Sequence, residues 1–68
     1  MSWHYCIRKR TDKGQDWYDI VEYYDNPEGW TKDSISPSGE TPGEVIKCLE
    51  MMVADAKKYD ILTEKEEA

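Results

Sequence analysis

Apolar and polar positions alternate from the start of the chain. Over Trp3–Lys9 the set Trp3, Tyr5 and Ile7 shares one face of an extended segment, and His4, Cys6 and Arg8 share the other. That pattern predicts a strand. Arg10–Asp16 is a polar connection containing Gly14, read as a hairpin loop of middling length. Trp17–Asp25 is dense in strand formers and predicts a second strand. One of its faces carries Tyr18, Ile20, Glu22 and Tyr24, the other Trp17, Asp19, Val21 and Tyr23, so the pattern leaves its core face open. Asn26-Pro27-Glu28-Gly29 reads as a turn with Pro27 at its second position and Gly29 supplying any positive φ. Gly29–Ser34 predicts a short third strand.

The period then changes. Ser36–Thr41 is a loop marked by Pro37 and Gly39. Thr41 is placed to cap a helix, with Pro42 at its first position and Glu44 at its third, a capping-box pattern. Val45, Leu49, Met52, Val53 and Ala56 form a helical apolar stripe, widened by Ile46 and Cys48. Glu44, Lys47, Glu50, Asp55 and Lys58 fall outside it and are expected to face water. The helix is expected to end near Tyr59, with Lys57 and Lys58 complementing its dipole. Ile61 and Leu62 are expected to fold back on the sheet. Residues 63–68 read as a frayed acidic tail.

The expected architecture is one α+β domain over residues 1–62, a three-stranded antiparallel meander with one C-terminal helix on one face (β-β-β-α). One helix covers one side. The other side is expected to stay bare, and Tyr18, Tyr23, Tyr24 and Trp30 are the candidate anchors for a protein partner or a second copy there.

Composition narrows the classes. At 68 residues there is no room for a second lobe. The longest apolar run, Met51-Met52-Val53-Ala54, is far short of the roughly 20 residues of a membrane span. The first residues show no charged segment followed by an apolar one, so no secretion signal is expected and the cytoplasm is the expected location. Cys6 and Cys48 are then read as reduced, buried thiols. Two Cys and His4 lack ligand spacing, so neither a metal nor a cofactor is expected. No nucleotide-binding, metalloprotease or nucleophile-elbow motif occurs, and no group is placed to orient a Cys6/His4 pair. The chain is read as a non-enzyme.

Charge adds one candidate. The net charge is −6, but residues 1–14 hold four basic groups and one acidic, a net of +3, while the five basic and fourteen acidic groups that follow make −9. Arg8, Lys9, Arg10 and Lys13 form a basic cluster on the first hairpin, the basis of an alternative reading as a nucleic-acid accessory protein. The acidic body suits a further alternative, a nucleic-acid mimic that blocks a basic groove on another protein.

The block Gly29-Trp30-Thr31 followed by Ser36-Pro37-Ser38-Gly39-Glu40-Thr41 and an amphipathic helix resembles a group of short bacterial and phage-borne proteins. The similarity spans roughly residues 3 to 55, and it is looser at Trp17–Tyr18 and in the helix, at Cys48 and Met51-Met52. It implies a compact intracellular domain of mobile-element origin and assigns no active residue.

Overall fold

The computed structural model describes residues 2–64. Its framework is a long hairpin, β1 (Trp3–Asp12) and β2 (Gln15–Asp25), paired antiparallel from Trp3↔Tyr24 to Asp12↔Gln15. The turn is only Lys13 and Gly14, with φ of 52° and 77°. Two positive φ values give a turn whose twist matches the strands. The polar connection predicted at Arg10–Asp16 is therefore mostly ladder. Thr11 Oγ1 donates to Asp16 at 2.7 Å, Lys9 Nζ lies 3.6 Å from the same carboxylate, and the Arg10 guanidinium sits 5.6 Å from the Trp17 ring centroid. Such cross-strand pairs let polar residues extend a sheet.

β3 (Glu28–Trp30) pairs with Tyr23–Asp25 and is shorter than the predicted Gly29–Ser34. The bond Asn26–Pro27 is cis, and Gly29 lies inside β3 without a positive φ. Past Trp30 the chain stays against β2 without a regular ladder. Thr31 N–H donates to the Glu22 carbonyl at 3.0 Å, its hydroxyl accepts from Glu22 N–H at 3.1 Å, and Ile35 N–H donates to the Ile20 carbonyl at 2.8 Å.

α1 (Pro42–Lys58) starts as the sequence predicts. Thr41 is extended and its hydroxyl accepts from Glu44 N–H at 3.2 Å. The Glu44 carboxylate reaches back one residue further than a capping box requires, to Glu40 N–H at 3.2 Å. Gly39 passes so close that an added Cβ would lie 2.5 Å from Glu44 Cβ, so this corner requires glycine.

β4 (Leu62–Glu64) then pairs parallel with Arg8–Arg10 of β1. The sheet is four-stranded and mixed, in the order β3-β2-β1-β4. This corrects the three-stranded antiparallel meander. A meander would leave the outer edge of β1 without partners for its backbone groups, and β4 supplies three residues of pairing. Thr63 and Glu64 of the expected tail thus belong to the sheet, and 65–68 lie outside the described residues.

The register places Trp3, Tyr5 and Ile7 with Tyr24, Glu22 and Ile20 on one face, and His4, Cys6, Arg8 and Arg10 with Tyr23, Val21, Asp19 and Trp17 on the other. The helix meets the first face at Tyr5, whose hydroxyl lies 3.6 Å from Cys48 Sγ. That thiol contact and burial push the Tyr5 hydroxyl up to about 12. Tyr5 N–H donates to the Asp55 carboxylate at 3.0 Å. Asp55 therefore turns inward rather than to water, and it rotates the helix with it. Met52 is buried and Val45, Cys48 and Ala56 half-buried, while Leu49 and Val53 of the predicted stripe are exposed. Chain leaving the helix passes to the second face, where Tyr59 stacks on His4 at 3.5 Å between ring centroids.

The hairpin turn is the first quantity to test. Lys13→Asn suits the left-handed backbone better and is expected to stabilise the fold by about 0.5–1 kcal/mol in equilibrium urea unfolding. Gly14→Ala, which adds a Cβ at positive φ in open space, is expected to destabilise by about 1 kcal/mol.

Candidate interaction surfaces

The four aromatic anchors divide between the two faces. Tyr18 and Tyr24 lie on the helix side, opposite Lys9 and Trp3 in the ladder. Tyr18 stands 57 % exposed on the distal half of the hairpin, and the Tyr24 hydroxyl donates to Glu22 at 2.6 Å. Tyr23 and Trp30 are direct cross-strand neighbours on the second face. Tyr23 also lies 5.3 Å from His4 between ring centroids. The four residues form two small groups, not one patch.

That second face is not bare. At its centre Arg8 is 0 % exposed. Its Nε and Nη2 donate to the two oxygens of Asp19 at 3.0 and 2.5 Å, and its Nη1 donates to the carbonyls of Thr31 and Lys32 at 3.2 and 2.9 Å. Ser34 Oγ donates to Asp19 at 2.6 Å. The Glu64 carboxylate comes within 3.6 Å of Arg8 Nη1 and accepts from Trp30 Nε1 at 2.9 Å. Trp30 and Glu64 start from opposite edges of the sheet and meet across it. The expectation of an uncovered face counted only regular elements; side chains from β3 and β4 meet over its centre, while Trp17 on the same face stays exposed.

Electrostatics follow from this bonding. The hydrogen bonds from Arg8 hold Asp19 below the usual carboxylate range, and the same contact raises the Arg8 guanidinium further. The basic cluster is accordingly not a free loop. Arg8 is buried, Lys9 pairs with Asp16, and Arg10 lies 3.9 Å from Glu64 as well as over Trp17. Lys13 sits in the turn.

Sequence reasoning missed the outer face of α1. Ile46, Leu49 and Val53 are 56 %, 44 % and 53 % exposed. With Glu50, Ala54 and Lys57 they form an open, shallow surface along one side of the helix. The signal was present in the width of the stripe. Val45, Ile46, Cys48, Leu49, Met52, Val53 and Ala56 span more of the helix circumference than one contact with a sheet can bury.

Among the described residues no group of three or more His, Cys, Asp or Glu could hold a metal ion, and no helix is long and apolar enough to cross a membrane. Both cysteines are free thiols, Cys6 buried and Cys48 half-buried. The chain matches no protein-family model, no curated protein and no solved structure.

Removing either partner of the Arg8–Asp19 pair leaves a buried charge, so Arg8→Met and Asp19→Asn are each expected to cost about 3–5 kcal/mol. A chain of this length carries a total stability of about 3–10 kcal/mol, so both variants should melt far below the parent. The depressed acidity of Asp19 fixes the sign of the pH dependence. Its contribution is complete above the ordinary carboxylate pKa of about 3.9 and is lost as pH falls through the lower folded value. Thermal unfolding between pH 6 and pH 2 should show that acid loss in the parent and a smaller one in Asp19→Asn.

Proposed function

We propose that the chain is a non-enzymatic protein-interaction module that uses the outer face of α1. The observation that carries this reading is the exposure of Ile46, Leu49 and Val53 at helical spacing on a helix whose opposite side is already seated. Positions three and four apart share a surface and suit the apolar side of a partner helix. The net charge of −6 opposes pairing of two copies and favours a partner with basic flanks around its apolar side. Three side chains make a small contact, which fits a transient complex. The resemblance to phage-borne proteins makes restraint of a host protein the natural form of such an activity.

The nucleic-acid reading has less support. Burial of Arg8 and the carboxylate partners of Lys9 and Arg10 leave little positive charge for phosphates. The acidic-mimic reading shares the expected basic partner, but it rests on charge alone.

Leu49→Glu and Val53→Glu test the proposal because both sites face solvent. Each should leave the melting temperature within about 2–4 °C of the parent, a surface-sized effect. A photo-crosslinker at position 53 should capture a basic protein from cells, and Leu49→Glu should abolish that adduct. Sedimentation should show a monomer at all concentrations. Capture unaffected by Leu49→Glu would count against this surface.

A further inference from the structure

β4 sits on the sheet as a docked peptide would. Its three residues pair with the outer edge of β1 at Arg8–Arg10, and its side chains alternate into two different environments. Leu62, beside Arg8, lines a hollow of about 230 Å³ whose sheet side is His4, Cys6 and Tyr23 and whose other wall is the connecting chain Tyr59, Asp60 and Ile61. Glu64, beside Arg10, places its carboxylate against three donors: Trp30 Nε1 at 2.9 Å, Arg8 Nη1 at 3.6 Å and Arg10 Nη2 at 3.9 Å. Thr63, between them, is exposed. The groove thus reads an apolar residue and, two positions later, an acid.

The strand edge and its arginines do not depend on β4 for their position. Arg8 spends its hydrogen bonds on Asp19, Thr31 and Lys32, and its contact with Glu64 is a longer ion pair. Arg10 keeps its position over Trp17. The pairing of β1 with β2 runs the whole length of β1 without help from β4. Loss of β4 would expose a strand edge, which invites an added strand, next to the sheet-side surface of His4, Cys6 and Tyr23 and two guanidinium groups. Main-chain pairing supplies affinity in such a groove, and alternate side chains supply specificity.

We infer that the outer edge of β1 at Arg8–Arg10 is a docking groove for an extended peptide of another protein with the pattern apolar–any–acidic, and that β4 is its internal occupant. The partner class follows from charge: two arginines and an indole N–H face one carboxylate in the part of the chain that carries the positive excess. This groove is separate from the outer face of α1 and stands whether or not that face binds anything.

The full chain carrying Leu62→Ala and Glu64→Ala together weakens the internal occupant. A synthetic peptide Asp-Ile-Leu-Thr-Glu-Lys, the chain's own sequence at 60–65, is the probe. Hydrogen exchange should show β1–β2 amides protected as in the parent. Tryptophan fluorescence should report saturable peptide binding, at least about tenfold tighter than to the parent, and a Glu→Gln peptide should bind about tenfold more weakly. Three results would overturn the inference. The double variant unfolds globally. It keeps its fold but does not bind the peptide, or binds the Gln form equally well. The parent forms a concentration-dependent dimer that Glu64→Ala abolishes, which would assign the groove to strand exchange between copies.

Discussion

A guanidinium buried in so small a domain has to be answered by everything around it. Arg8 lies in the middle of β1 with no exposed surface. An ionised group taken out of water costs several kcal/mol unless its donors are matched. Asp19 answers it from β2, the carbonyls of Thr31 and Lys32 from the segment beyond β3, and Glu64 from β4. The segment after Trp30 therefore follows the edge of β2 instead of leaving the sheet. The direct bonds are few, but each depends on a different part of the chain being in place. Such a network contributes less to net stability than to fixing one arrangement.

The other face is simpler and thinner. Its seam with the helix includes Tyr5, Met52 and the half-buried Cys48, with Asp55 bonded to the backbone of β1. The rotation of α1 that seats Asp55 decides which apolar residues reach the sheet. Leu49 and Val53 are turned out by that choice and join Ile46 on an open apolar surface. The exposed apolar stripe thus accompanies the seating of Asp55 against the backbone of β1. The two sides of the molecule differ in kind, with a polar network beneath Trp30 on one and an apolar helix stripe on the other.

Local features were legible wherever neighbouring residues carried the information. Alternation marked β1, strand formers marked β2, and Thr41, Pro42 and Glu44 marked the start of α1. Gly14 lies in the hairpin turn, within the predicted connection. The candidate residues were less legible. Arg8 read as part of a basic loop because its charge is visible in the chain and its partners are not. Strand parity already set Tyr18 and Tyr24 opposite Tyr23, but parity within a single segment says nothing of which face the helix takes, so the four were grouped without a face. β4 escaped notice because three residues give no period.

The sequence alone determined β1, β2, the start of α1 and the order of these elements, because caps, strand formers and alternation act over a few residues. Tertiary structure decided the sides. Arg8 and Asp19 are 11 positions apart, Trp30 and Glu64 are 34, and Tyr5 and Asp55 are 50. Those bonds set which face of the sheet is closed by polar side chains, how far α1 rotates and where the last strand pairs. Each is a contest between burying a polar group and finding it a partner, and the partner is known only once the chain has folded.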